Sequence, residues 1–125
     1  MFRIHQSQFE TLARHTRQEF VKMMAAYVRD HFSGQLRLTL EAQREAWVSV
    51  ALEKCERYGI ATEPEAAQLI LLFLVLGLSA DEEPWVHEIL EDPRLTAIGK
   101  LRRLVRVASD RGIKHLDEVV VCDDL

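Results

Sequence analysis

The chain has 125 residues, 48% of them hydrophobic, which is enough to bury the core of one domain of ordinary size. Its 16 basic and 20 acidic residues give a net charge of -4 at pH 7, which argues against a dedicated nucleic-acid binder. Cys55 and Cys122 form no CxxC pair, and the chain starts without the apolar core of a secretory signal. We therefore expect one helical domain over residues 1–125, reduced and cytoplasmic, with free thiols.

The first predicted helix runs from Ser7 to His31 and is followed by Gly34, which is expected to end it. Ser7 and Glu10 have the spacing of a capping box, in which the hydroxyl accepts from a helix N–H and the carboxylate reaches back. Apolar side chains recur every three or four positions and predict one stripe that faces the core. The stripe consists of Phe9, Leu12, Ala13, Phe20, Met23, Met24, Tyr27 and Val28.

A second helix is predicted from about Leu40 to Tyr58. Gly59 suits the left-handed position that follows many helices, and Ile60 is then expected to fold back over the last turn. The residues predicted to share the buried face are Ala46, Trp47, Val50, Ala51, Cys55 and Tyr58.

The most apolar segment, residues 69–78, predicts a central helix. Thr62 can cap it, Glu65 has the spacing to complete a capping box, and Pro64 lies in the first turn, where its missing N–H is harmless. A helix that is apolar all round must be buried on every side. The segment is also too short to cross a bilayer, which takes roughly 20 apolar residues. We therefore predict a buried central helix over residues 63–78, with Gly77 near its end, and no membrane span.

Two further helices and a tail complete the predicted bundle of about five helices. Residues 82–90 predict a short helix with Trp85, Val86 and Ile89 turned inward, and Asp92-Pro93 ends it. Thr96 begins the last helix, which runs to about residue 110 and is closed by a glycine. The tail, residues 113–125, contains three consecutive valines and is predicted to be a short strand or an extended arm. If exposed, such a segment would offer a strand edge to a partner.

Charge is divided sharply along the second half of the chain. Residues 59–93 contain eight acidic residues and no Lys or Arg, and the helix that follows is basic. Three interpretations of the basic face stay open: a solvated surface, an ion-pair partner for the acids of residues 81–92, and a docking surface. The candidate protein-binding residues are Asp81, Glu82, Glu83, Trp85, Arg102, Arg103 and Arg106.

No combination of residues predicts catalysis, a metal site or a cofactor. A zinc helix of the two-histidine type needs a second His four residues after His87, where the chain has Glu91. Cys55 lies on an apolar helix face and is expected to be a buried small hydrophobe. Cys122 precedes two aspartates, which raise a thiol pKa rather than lower it.

Several short motifs occur in a recognisable order: Arg57-Tyr-Gly-Ile60, Thr62-Glu63, Leu76-Gly77, Pro84-Trp85 and Glu88-Ile-Leu-Glu-Asp-Pro93, followed by a Leu-rich helix. Over about residues 58–108 the chain resembles a family of small helical proteins encoded in bacterial type VI secretion effector clusters, near spike-tip PAAR proteins, adaptor chaperones and toxins. The resemblance implies a cytoplasmic co-chaperone role, without catalysis, in loading an effector and its adaptor onto the secretion spike.

The leading hypothesis is therefore a helical accessory protein that binds an effector protein, its adaptor chaperone or both, and neither nucleic acid nor a membrane. The alternative is an immunity protein that neutralises a toxin, since an acidic face over residues 81–92 could mimic the substrate of a nuclease. An amphipathic face left uncovered by the bundle would favour a homodimer.

Overall fold

The computed structural model describes residues 16–32, 40–121 and 125. Over these residues the chain forms α1 (Arg17–His31), α2 (Glu41–Arg57), α3 (Glu63–Leu76), a 3-10 turn (Ala80–Glu82), α4 (Pro84–Leu90), α5 (Ala97–Asp110) and α6 (Leu116–Val119). No strand occurs in this part of the chain, and the predicted all-α class is confirmed. Within it, no helix combines the length and the apolar character that a bilayer span requires.

Helix α3 is the centre of the fold, as predicted from its apolar composition. It packs against α2, α5 and α6, whereas α1 packs chiefly on α2 and α4 packs on α5 and the 3-10 turn. Residues 69–73 are at most 1% exposed. The helix ends at Leu76, two residues before the predicted end, and residues 74–76 are only half-buried.

Threonines begin α3 and α5 at the predicted positions. The Oγ1 of Thr62 accepts from the backbone N–H of Glu65 at 3.4 Å, and its hydroxyl donates to the Glu65 carboxylate at 2.8 Å. The Glu65 carboxylate therefore accepts from the hydroxyl of Thr62. In the predicted capping box it would accept from the backbone N–H of Thr62. Thr96 caps α5 by accepting from the N–H of Gly99 at 3.1 Å.

The prediction of one helix from Ser7 to His31 is wrong at Thr16. Thr16 is extended and forms its own capping box: its Oγ1 accepts from the Glu19 N–H at 3.1 Å, and its N–H donates to the Glu19 carboxylate at 3.3 Å. A helix cannot continue through a residue that caps it, so α1 begins at position 17. The predicted end at His31 is confirmed, and both Ser7 and Gly34 lie outside the described residues.

The end of α2 is confirmed, but its buried face is offset from the predicted one. Ala46 and Val50 are exposed and Trp47 is half-buried. Ala51, Cys55 and Tyr58 are buried as predicted, and the stripe is completed by Arg44, Val48 and Leu52. This stripe follows the three- and four-residue spacing of a helix that packs between two neighbours, here α1 and α3.

As far as residue 121, the chain after α5 is not the strand or extended arm that the sequence predicts. It turns back through His115 and forms α6, and the side chains of Val119 and Val121 are buried. The buried side-chain amide of Gln68 in α3 binds two backbone groups of this segment that a partner strand would otherwise pair with. Its Nε2 donates to the carbonyl of Val119 at 2.9 Å, and its Oε1 accepts from the N–H of Val121 at 2.8 Å.

Candidate functional site

Asp81, a predicted protein-binding residue, lies in the interior and not on the acidic surface. Its side chain is 5% exposed. Its Oδ1 accepts from the Nζ of Lys54 at 2.7 Å, and its Oδ2 accepts from the hydroxyl of Tyr58 at 2.9 Å. The same Nζ also donates to the carbonyl of Leu78 at 2.6 Å. The Asp81 carboxylate therefore fastens the loop between α3 and α4 onto α2.

The electrostatic setting of Asp81 favours its charged form. Burial acts to raise the pKa of this carboxyl, but the hydrogen bonds from Lys54 and Tyr58 and the positive charge of Lys54 outweigh burial and hold the pKa below its ordinary value. Asp81 thus stays ionised at neutral pH as half of a largely buried ion pair.

The other predicted residues near α4 divide between a covered aromatic ring and exposed carboxylates. Trp85 is half-buried, and the guanidinium of Arg111 lies 4.8 Å from its ring centroid, in cation–π geometry. Glu82 and Glu83 are exposed, and Glu83 is the N-cap residue of α4. Trp85 is therefore a packing residue with one face covered by a cation, whereas the two glutamates face solvent.

The basic residues of α5 divide in the same way. Lys100 donates from its Nζ to the carbonyl of Tyr58 at 2.9 Å, which ties α5 to the end of α2. Arg102, Arg103 and Arg106 are exposed. The predicted arginines therefore share one outward face of α5, separate from the lysine that serves the fold.

These arginines border an open groove of about 560 Å³, here called the basic groove. Its floor includes the half-buried apolar side chains of Leu95 and Val105. Among the described residues, the lining consists of Leu95, Gly99, Arg102, Arg103, Val105, Arg106, Ser109 and Leu125. Apolar floor and cationic rim together can accept a segment that carries both apolar and anionic groups.

A second open groove of about 530 Å³, here called the acidic groove, adjoins the first. It is lined by Glu88, Ile89, Glu91, Asp92, Pro93, Arg94, Leu95 and Arg103. Leu95 and Arg103 belong to both grooves. The two grooves therefore meet at these residues and carry opposite charge on either side of the junction.

Asp92 is the acid of this groove that is already engaged within the chain. Its Oδ1 accepts from the backbone N–H of Arg94 at 2.9 Å and from the Nε of the same residue at 3.1 Å, and its Oδ2 accepts from Nη2 at 3.1 Å. These hydrogen bonds hold the pKa of Asp92 below its ordinary value. They shape the turn between α4 and α5 and leave the negative charge of the groove to Glu88 and Glu91.

Among the described residues, no group of three or more His, Cys, Asp or Glu side chains is placed to hold a metal ion. Cys55 is fully buried, as predicted, and burial raises the pKa of its thiol to about 12. A thiol with such a pKa is protonated at neutral pH and is a poor nucleophile. Cys122 lies outside the described residues.

Sequence reasoning found the three arginines but missed the residues that make the groove. Leu95 stands between two turns with no periodic signal, and Val105 lies on the Leu-rich helix, where no pattern marks it as a groove residue. Leu95 lines both grooves because it packs beside Gly99 at the start of α5. This contact depends on the folded structure and leaves no pattern in the sequence. The exposed charge pattern was the one signal available in the sequence.

The described residues thus define a class: an all-α domain whose α4–α5 side carries a groove divided into a basic and an acidic half. No protein-family model, curated protein or solved structure matches the chain.

Proposed function

We propose that this chain is a non-catalytic accessory protein that binds other proteins through the surface formed by α4 and α5. The observation that carries the proposal is the pair of open grooves: three exposed arginines line the first, and Glu88, Glu91 and the Asp92–Arg94 pair line the second, with Arg103 shared by both. Such a surface combines apolar area with charges of both signs, which suits a protein partner and fixes its orientation.

The resemblance over residues 58–108 supports a setting for this binding. In that setting the chain is a cytoplasmic co-chaperone that helps load a type VI secretion effector, in contact with the effector, its adaptor chaperone or both. The exposed residues Glu82, Glu83, Arg102, Arg103 and Arg106 are the candidate contacts. Asp81 and Trp85 contribute indirectly, Asp81 through its ion pair with Lys54 and Trp85 through its contact with Arg111.

The test is a tagged pull-down from the native host with identification by mass spectrometry, combined with deletion of the gene. We expect recovery of an effector together with its adaptor, a loss of effector secretion on deletion, and healthy cells. A single toxin captured without an adaptor, with cells that sicken on deletion, would instead indicate an immunity protein. Unchanged secretion and no identified partner above a tag-only control would overturn the proposal.

A further inference from the structure

We propose that the basic and acidic grooves act as one site for a charge-divided segment of a partner protein. The segment carries carboxylates that pair with Arg103 and Arg106, an apolar side chain that lies on Leu95 and Val105, and Lys or Arg that pairs with Glu88 and Glu91. This inference rests on the proposed function, because it names the chemistry of the segment that such an accessory protein would bind.

The basic half has the geometry to bind carboxylates. Arg103 and Arg106 are exposed and one helical turn apart on α5, so their Cβ atoms lie about 5–6 Å from each other. A guanidinium presents a planar fork that matches a carboxylate through two parallel hydrogen bonds. Two acids separated by a similar distance on the partner would each meet one arginine.

The junction between the halves has an apolar lining, because Leu95 lies beside the first turn of α5 and belongs to both grooves. A Cβ placed on Gly99 would lie 3.7 Å from the Cβ and Cδ2 of Leu95 and 3.2 Å from the Oγ1 of Thr96. The two distances to Leu95 are ordinary van der Waals contacts, so Leu95 lies against the first turn of α5 at Gly99. Leu95 and Val105 remain half-buried, and a partner's apolar side chain would remove more of their surface from water.

The acidic half completes the pattern. Glu88 and Glu91 are exposed and three residues apart at the end of α4, whereas Asp92 is held by Arg94. A cationic side chain on the partner would lie between the two glutamates. A segment with its acidic and basic residues in separate blocks would form favourable ion pairs in both halves. A segment with alternating charges would meet like charges in each half.

The same division argues against nucleic acid as the occupant. A polyanion attracted to the arginines would extend along the groove toward Glu88 and Glu91, and like charges facing each other there are repulsive. The chain as a whole also carries a net charge of -4. A protein segment can reverse its charge along its length, whereas a phosphate backbone cannot.

Labelled synthetic peptides test the inference by fluorescence anisotropy with the full chain. The probe peptide has a Glu block, a central Leu pair and a Lys block, and the comparison peptide has the same composition with the Glu and Lys residues alternating. We expect the probe to bind about tenfold more tightly at low salt, with the advantage falling at high salt. Equal affinity for the two peptides, or tighter binding of a single-stranded oligonucleotide than of the probe, would overturn the inference.

Variants of exposed residues locate the binding on the grooves. Arg106→Glu and Glu88→Lys should each weaken probe binding by about fivefold. The matched controls are Lys22→Glu on α1 and Glu53→Lys on α2, which make the same charge changes at exposed positions outside both grooves. Losses of equal size in the controls would show a general charge effect and overturn the assignment.

The pull-down separates failure of this inference from failure of the proposed function. If the wild-type chain captures the effector and adaptor and Arg106→Glu captures them equally well, the function stands and the groove assignment falls. If the wild-type chain captures no identified partner above the tag-only control and deletion leaves secretion unchanged, the function falls. In that case the peptide measurement still decides whether the groove prefers a charge-divided segment.

Discussion

Asp81, a single residue predicted to lie on the binding surface, has a structural role in the interior. An aspartate in an acidic run is expected in water, yet this one is covered and held by Lys54 and Tyr58. Burial of a carboxylate is tolerated because each oxygen accepts a hydrogen bond and the ammonium balances the charge.

Replacing Asp81 with Asn should destabilise the fold by about 2–3 kcal/mol, since the buried end of Lys54 would lose its counter-charge. Urea unfolding of wild type and variant measures the difference. Asp92→Asn is the matched control: its ion-pair partner Arg94 is 87% exposed, so its effect should be much smaller. An equal loss in the two variants would contradict the role given to the buried pair.

The contribution of Asp81 should depend on pH with a definite sign. Its folded pKa lies below the unfolded value of about 3.9, so the stabilisation is fully present above that value and is lost as the pH falls through the folded pKa. The difference in unfolding free energy between wild type and Asp81→Asn should be constant above about pH 5 and shrink below about pH 4. A difference that grew on acidification would show the opposite sign and refute the pairing.

At the scale of the element, the end of α2 was predictable because its signals are local. Gly59 has a φ of 76°, and the N–H groups of Gly59 and Ile60 return to the carbonyls of Glu56 and Cys55 at 3.2 and 2.9 Å. This is the hydrogen-bond pattern of a Schellman motif. A residue type that suits one backbone conformation can be recognised without any tertiary information.

Gly59→Ala should therefore cost about 1 kcal/mol from backbone strain alone, since a Cβ at this position meets nothing within 4 Å. Gly59→Asn should cost less, because Asn tolerates the left-handed conformation better than Ala does. Thermal unfolding of the three proteins checks the order, and an Asn variant less stable than the Ala variant would contradict this account.

What the sequence could not predict depends on partners far along the chain. Lys54 and Asp81 are 27 positions apart, and no local pattern joins them. Val50 looked like a core residue because periodicity gives a stripe but not which neighbour covers it. The basic face of α5 was predictable from charge, whereas the groove needed Leu95 to be brought against Gly99 by packing.

Gln68 should stabilise the segment around α6 through its two buried hydrogen bonds. Gln68→Leu would leave the buried carbonyl of Val119 and N–H of Val121 without the amide that binds them, at a cost of about 2–3 kcal/mol. Hydrogen exchange should show the amide of Val121 losing protection. Gln43→Leu, at an exposed position of α2, should change neither stability nor that amide's exchange. Retained protection in Gln68→Leu would show that apolar packing alone holds the segment.

For the whole molecule, one central helix holds most of the fold together. Leu71 in α3 is fully buried, so Leu71→Ala should cost about 2–5 kcal/mol through lost burial and a residual cavity. For a chain of this length that loss corresponds to a fall in Tm of about 8–20 °C. Val50→Ala, at a side chain that is 41% exposed, should change stability by about 0.5 kcal/mol or less. Similar losses in the two variants would argue against α3 as the core.

The two tryptophans test whether the chain unfolds as one unit. Trp47 lies on α2, which packs on α1, and Trp85 lies on α4, which packs on α5. We expect Trp47→Phe and Trp85→Phe, each leaving one tryptophan, to give fluorescence transitions that coincide with the loss of helical circular dichroism within the same protein, because α3 joins the two sides. If the transition reported by Trp47 came before the helical transition and that reported by Trp85 came after it, α1–α2 and α3–α6 would be separate folding units. That result would contradict a single cooperative domain built around α3.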